Sequence, residues 1–170
     1  MMDKLLITNA LTKRATGRTV KHSLLLVVLA FMLTPLAGCS HSGETSAYEP
    51  VDASGWNYGD TIGLVLESPD SVAAGDLAIA VRHSADYDYS NIWLEVSYPL
   101  GDSIQSDTVN VALADVYGNW FGKGLGLSYQ HVDTVLRDIN LHLPARIGIR
   151  HIMRVDRIKG IEQLGIIIAR

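Results

Sequence analysis

The strongest constraint on the fold is a repeated alternation of apolar and other residues with a period of two. Seven short runs show it, and an eighth, Leu164–Ala169, is apolar on both faces, as a central strand would be. A period of two puts alternate side chains on opposite faces of a β-strand, so each run predicts a strand with one buried face. The seven alternating runs are residues 62–66, 77–82, 92–98, 108–113, 125–129, 139–143 and 147–153.

Turn-forming residues separate these runs. Ser68-Pro69-Asp70 and Tyr117-Gly118-Asn119 are two of the turn signals that stand between successive runs. No segment has the periodicity of a long amphipathic helix, although residues 131–138 could hold one helical turn. The sequence therefore predicts an all-β fold, a single antiparallel β-sandwich of jelly-roll or immunoglobulin-like type, over residues 56–170.

Residues 1–38 differ from the remainder and are typical of a signal peptide. Five basic side chains and one acidic give this piece a charge of +4, and an apolar stretch of 14 residues, Ser23–Leu36, follows Lys21. The stretch is too short for a stable membrane-spanning helix, which needs about 20 residues. Leu36-Ala37-Gly38-Cys39 then resembles the lipobox of bacterial lipoproteins, which predicts cleavage before Cys39 and lipidation of its thiol.

Lipidation of Cys39 would anchor the protein in a membrane. Two or more acyl chains anchor stably because each buried methylene contributes about 0.8 kcal/mol. The residue that follows Cys39 is Ser40 and not an aspartate. By resemblance to general lipoprotein sorting, this favours the outer membrane. Residues 40–44 lack a tight acidic cluster, so we expect the domain to face the periplasm. Residues 39–55 are rich in Ser, Gly, Glu, Pro and Ala, which predicts a flexible tether.

The distribution of charge argues against nucleic-acid binding and indicates a basic segment at the end of the chain. The whole chain has a formal net charge of −4, which argues against nucleic-acid binding. Residues 39–170 carry 9 basic and 17 acidic side chains, a net charge of −8. The basic side chains concentrate at the end, with 6 basic and 2 acidic in residues 139–170. Arg146, Arg150 and Arg154 would share one face of a strand. They could pair with the acidic body or form a contact surface for an acidic partner or lipid headgroups.

No arrangement of residues in the sequence points to catalysis, a metal or a cofactor. The chain has neither G-x-S-x-G nor H-E-x-x-H, and its single cysteine excludes a disulfide framework. Asp86–Asn91 spaces oxygen ligands as calcium loops do but lacks their glycine and distal glutamate, which favours a polar hairpin loop. Gly122–Gly126 lacks the ending of a phosphate loop, which favours close strand packing beside Trp120. His151 is interpreted as a hydrogen-bonded core residue.

Two stretches carry a resemblance to a known family. Asp115–Gly124 has the pattern D-x-x-G-x-W-x-G-x-G, and His151–Ile166 contains M-R-x-D and G-I. With Tyr89–Asn91 and the lipobox, they make the chain similar to the gliding-motility lipoprotein GldH family of Bacteroidota. The resemblance implies a non-enzymatic outer-membrane lipoprotein linked to gliding and type IX secretion, with envelope lipoproteins or secretion and motility proteins as partners. The motif residues expected to have a structural role are Asp115, Gly118, Trp120, Gly122, Gly124, Met153, Asp156 and Gly160.

The chemistry of these motif residues agrees with a structural role. Gly118 can supply the positive φ of a tight turn, and Asp115 can cap that turn by accepting hydrogen bonds from backbone N–H groups. Trp120 would then pack over the glycine-lined strand. Gly160 can turn the chain between the last two strands.

The sequence leaves a second function open, that of a β-sandwich lipoprotein that binds a glycan or another ligand. Trp93 lies on the face of its predicted strand opposite Ile92 and Leu94, so it is expected to be exposed. An exposed indole, together with the loop residues Tyr87 and Tyr89, could stack on a sugar ring.

Overall fold

The computed structural model describes residues 43–169, which form antiparallel β-strands and, over that range, no helix. The strands are β1 (Thr45–Pro50), β2 (Trp56–Asn57), β3 (Ile62–Leu66), β4 (Val72–Ser84), β5 (Asn91–Leu100), β6 (Ser103–Ala112), β7 (Lys123–Leu125), β8 (Ser128–His142), β9 (Ala145–His151), β10 (Arg157–Ile158) and β11 (Ile161–Ala169). One sheet has the order β1-β11-β4-β8-β7 and a second has β3-β9-β5-β6, while β10 pairs with β2. The two large sheets pack together, so the predicted all-β sandwich is confirmed.

The core fills the space between the inward faces of the two large sheets. Side chains at alternate positions along much of β4, β5, β9 and β11 are buried, as the period-2 pattern predicts. β11 lies between β1 and β4, so the prediction of a central strand at the end of the chain is confirmed. Burial of each such side chain contributes about 1.5–3 kcal/mol. The fully buried residues of these four strands include Leu77, Ile79, Ile92, Leu94, Ile147, Ile149, Leu164 and Ile166.

The beginning of the described chain corrects one prediction. The flexible tether predicted over residues 39–55 is wrong for Thr45–Pro50, because this segment forms β1 and pairs with β11 along its whole length. Most β1 side chains are exposed, so no apolar alternation marks the strand. Backbone pairing with β11 holds β1 in place, and so does the ring of Tyr48. This ring lies so close to Gly165 of β11 that a Cβ on Gly165 would overlap it.

The signal peptide predicted over residues 1–38 and the predicted lipidation site, Cys39, lie outside the described residues. Over residues 43–169 the structure has no helix of the length and apolar character that a membrane crossing requires.

β8 corrects a second prediction. Residues 131–138 form the middle of this 15-residue strand, so the prediction of separate strands on either side of a possible helical turn is wrong. The register between β4 and β8 shifts on both sides of Leu77, which marks a bulge. Asp138 has φ of 54°, and its backbone N–H donates to Asp76 Oδ1 at 3.2 Å. Beyond a bulge, the side chains that faced one side of the sheet face the other. A single period-2 pattern therefore does not extend along the whole strand.

The antiparallel pairings place the connections at two ends of the sandwich. The β3–β4, β5–β6 and β8–β9 connections lie at the end where β1 begins, which we call the N-terminal end. The β4–β5, β6–β7 and β9–β10 connections lie at the opposite end, which we call the loop end. Both stretches that carry the family resemblance contribute connections to the loop end.

Candidate functional site

The Asp115–Gly124 stretch begins with a tight turn at the loop end. The carboxylate of Asp115 accepts hydrogen bonds from the side-chain Nδ2 of Asn119 at 2.9 Å and from the backbone N–H groups of Asn119 and Tyr117 at 2.9 and 2.8 Å. The two hydrogen bonds from Asn119 contribute most to lowering the pKa of Asp115, and the one from Tyr117 contributes less. Gly118 has φ of 85°, the left-handed conformation that the turn needs. The carboxylate is therefore committed to shaping its own turn.

A cluster of aromatic rings encloses His83 beside this turn. The ring centroids of Trp120, Tyr129 and Tyr87 lie 4.5, 5.7 and 5.8 Å from that of His83, whose side chain is completely buried. His83 Nδ1 lies 3.0 Å from the carbonyl oxygen of Ser84, and Nε2 has no hydrogen-bond partner among the described residues. Burial is the largest cause that lowers the pKa of His83, so the imidazole is neutral at pH 7.

Two glycines of the same stretch allow β7 to approach β8. Gly122 has φ of 85°, and a Cβ on it would overlap the backbone carbonyl oxygen of Gln130. A Cβ on Gly124 would lie 3.0 Å from the ring of Tyr129. These glycines therefore serve the close strand packing that the sequence predicts, next to the rings around His83 and Trp120.

His151 is the buried histidine that the sequence predicts in the core. Its Nε2 lies 3.1 Å from the carbonyl oxygen of Trp56, and the rings of Trp56 and Tyr58 meet it edge-on at 5.1 and 5.7 Å. Burial is the largest cause that lowers its pKa. The hydrogen bond and the two aromatic contacts give His151 a packing role between β9 and the β2 region.

The three arginines predicted as a contact surface do not share one environment. Arg146 and Arg150 lie on the outer face of β9, but β9 ends at residue 151, so the prediction is wrong for Arg154, which lies in the following connection. Arg150 Nη2 lies 3.0 Å from Glu95 Oε1, and its Cζ lies 5.5 Å from the centroid of the Tyr58 ring. Among the described residues, Arg146 and Arg154 have no carboxylate within 4.0 Å. Arg150 is therefore ion-paired with Glu95, whereas the guanidinium of Arg154 is exposed at the loop end.

A surface groove of about 610 Å³ brings Arg154 together with Trp93 and Tyr89. Ile152, Met153 and Val155 complete its lining. Trp93 is 43% exposed, which confirms its predicted outward position, and its backbone N–H donates to Met153 Sδ at 3.3 Å. The groove presents an indole face and a cation, a combination suited to a flat or apolar group that carries negative charge.

Tyr87 does not belong to this groove, which corrects the grouping made from the sequence. Its side chain is buried, and its hydroxyl donates to the carbonyl oxygen of Asn91 at 3.1 Å. Sequence reasoning also missed His83 as the centre of an aromatic cluster. Its signal was present, because His83 continues the buried alternation of Leu77, Ile79 and Val81, but its partners come from distant parts of the chain.

Comparison with known proteins gives a match across the whole sandwich. Residues 44–168 match the model of a family described as GldH lipoprotein. A curated relative, the gliding motility lipoprotein GldH homolog of Christiangramia forsetii, is 30% identical to this chain over 101 residues. That alignment covers 58% of this chain and 60% of the relative, so the chain spans about 60% of the length of the relative it matches. The resemblance noted in the sequence is confirmed.

Proposed function

This chain belongs to the GldH lipoprotein family, and from that premise we propose that it is a lipid-anchored, non-catalytic docking component of an envelope machine associated with gliding motility. The family match over residues 44–168 carries the proposal, because the matching relative's name joins a lipoprotein to gliding motility. We place the anchor on Cys39 and the domain at the outer membrane, facing the periplasm. We place its partners among envelope lipoproteins and proteins of the type IX secretion and motility apparatus.

The position of β1 supports an anchor close to the sandwich. Cys39 precedes Thr45, the first residue of β1, by six residues. Six residues of extended chain span at most about 20 Å. The N-terminal end would then face the membrane. β4 has 13 residues, so the loop end lies about 40 Å from the N-terminal end along the strand.

The non-catalytic part of the proposal is supported by the way the structure uses its titratable residues. His83 and His151 are buried among aromatic rings, and Asp115 holds its own turn. Arg150 is paired with Glu95. These groups stabilise loops and strands. A purified preparation that turned over a substrate would overturn this part.

Cys39→Ala is predicted to abolish anchoring. The parent protein should incorporate a labelled fatty acid, and this variant should incorporate none, because the Cys39 sulfur is the atom that accepts the lipid. The variant should leave the membrane fraction, whereas Ser40→Ala, which leaves the lipobox cysteine in place, should label and fractionate like the parent. Label on the Cys39→Ala protein, or none on the parent, contradicts the proposed anchor.

Docking is predicted to depend on Arg154. Val116 and Tyr117, which are 93% and 88% exposed, lie in the β6–β7 connection at the same loop end. In pull-downs from detergent-solubilised envelopes, Arg154→Glu should reduce recovery of secretion or motility proteins about five-fold, close to 1 kcal/mol. Arg146→Glu makes the same charge change on β9 and serves as the control. Equal recovery with both variants, or lower recovery with the control, contradicts a docking role for Arg154.

The groove beside Trp93 supports a second candidate, a glycan-binding module. Tyr89 and Trp93 both line this groove and could stack on a sugar ring. A rise in melting temperature with one particular sugar, lost in Trp93→Ala, would favour this candidate over protein docking.

A further inference from the structure

The β6 strand ends its sheet with an open edge. β6 has ten residues and pairs with β5 in an unbroken register from Ser103 to Ala112. On its other side, no backbone hydrogen bond joins residues 103–112 to any other part of the described chain. Half of its backbone N–H and C=O groups therefore have no backbone partner among the described residues, which is the geometry that accepts an added strand.

The other three edges of the large sheets are shorter or protected. β7 and β3 have three and five residues, and β1 has six and ends in Glu49 and Pro50. Natural proteins protect edge strands with lysine, proline, bulges or short length. β6 has ten residues and no lysine, proline or bulge, and its protection is limited to one inward-pointing charge on the face of Val109 and Val111. Its one charged residue, Asp107, accepts a hydrogen bond from the Tyr98 hydroxyl at 2.6 Å, so it is held within the hairpin.

The β5–β6 hairpin also separates from its sheet toward the N-terminal end. β9 pairs with β5 only from Leu94 to Ser97. Pro99 follows, and its ring nitrogen has no hydrogen to donate to β9. The tip carries Leu100, which is exposed, and Ile104, which is 70% exposed. An incoming strand would therefore meet free backbone groups and an apolar contact together.

The charge of this region decides which partner fits. Residues 99–112, which include the β5–β6 turn and β6, contain two acidic side chains, Asp102 and Asp107, and no lysine or arginine. Neither carboxylate is in a salt bridge with a described residue. The charge along this edge is therefore negative, which favours a basic segment over an acidic one.

We propose that the free edge of β6, over Ser103–Thr108, binds an extended lysine- or arginine-bearing segment of a partner protein by adding it as a strand to the β3-β9-β5-β6 sheet. This deepens the proposed docking role with a second surface, separate from the loop end. A second copy of this chain fits less well. Its β6 is equally acidic, and antiparallel pairing of two copies would direct their N-terminal ends oppositely.

The test uses the full-length protein in detergent and a labelled synthetic peptide of alternating lysine and threonine, about ten residues long. Its binding is followed by fluorescence anisotropy and by hydrogen exchange of the β6 amides. The lysine peptide should bind, weaken with added salt and slow exchange along β6. Two control peptides, one with central prolines and one with glutamate for lysine, should bind at least ten-fold more weakly, because each removes one source of attraction.

Two lysine substitutions make the test specific to this edge. Ile104→Lys adds a repelling charge and removes the apolar contact, so it should weaken the lysine peptide about ten-fold. Val132→Lys places the same group on an exposed position of β8 and should leave binding unchanged. The proposal is overturned if the lysine peptide does not bind or binds as well with prolines. It is also overturned if Ile104→Lys binds the lysine peptide as tightly as the parent does. A concentration-dependent dimer of the parent that Ile104→Lys abolishes would overturn it as well. None of these results alters the outcome of Cys39 labelling, so the anchor is tested separately.

Discussion

Acidification below about pH 6.5 is expected to lower the free energy of unfolding steeply, with His83 and His151 as the cause. Both side chains are completely buried, and burial is the largest cause that lowers each pKa. In the unfolded chain each histidine has a pKa of about 6.5. Between that value and the lower folded pKa the unfolded state binds more protons. The contribution of each histidine is therefore fully present above pH 6.5 and is lost as the pH falls.

The size of the effect follows from proton linkage. Between pH 6.5 and its own folded-state pKa, each histidine removes at most about 1.4 kcal/mol per pH unit, and the losses from the two histidines add. Neighbouring charges modify this, since Glu162 and His131 act in opposite directions on the pKa of His83, and Asp60 and Arg150 do so on that of His151. The direction remains set by burial, which is the largest cause at both sites.

Urea unfolding of the parent and of glutamine variants, compared at neutral and mildly acidic pH, measures this. His83→Gln and His151→Gln should each reduce the loss of unfolding free energy on acidification, because an amide does not titrate. His142→Gln is the matched control, because His142 is exposed at the end of β8. If both buried variants keep the full pH dependence of the parent, the histidines are not its source.

Gly122→Val is expected to be the more destabilising of two valine substitutions at glycines with the same backbone angle. Gly118 and Gly122 both have φ of 85°. A Cβ at Gly118 meets nothing within 4 Å, so Gly118→Val should cost only the conformational strain, about 1–3 kcal/mol. A Cβ at Gly122 would overlap the Gln130 carbonyl oxygen, so β7 must move away from β8. The expected loss is about 4 kcal/mol or more.

Two measurements separate these substitutions. Denaturant unfolding at neutral pH gives the free energies, and near-ultraviolet circular dichroism reports the packing of Trp120 against His83 and Tyr129. Gly122→Val should change that spectrum, because the displaced strand carries the neighbours of these rings. Gly118→Val should retain the parent spectrum. Equal destabilisation by the two substitutions would show that the approach of β7 to β8 does not need a glycine at residue 122.

The parts of the fold that the sequence predicted are those marked by local alternation. Leu77, Ile79 and Val81 identify their strand because each of them must face the core whatever the partner strands are. The same reasoning fails for β1, whose pairing with β11 uses backbone groups and leaves most side chains in solvent. It fails again in β8, where the bulge opposite Leu77 reverses the faces.

The candidate site shows the same division. The roles of Asp115 and Gly118 could be predicted because a turn is made by neighbours in the chain. The aromatic cluster could not, since Trp120 and Tyr129 meet His83 only when β4, β7 and β8 are aligned. Arg154 was misplaced because the end of β9 depends on its pairing partners.

The sequence by itself determined the strand-forming segments, the tight turn after Asp115 and the family, because these depend on residues close together in the chain. Only the tertiary structure decided which strands become edges, which histidines lose contact with water, and which exposed aromatic residue lies beside an unpaired arginine. Each of these depends on the alignment of distant strands, and no short stretch of sequence encodes that alignment.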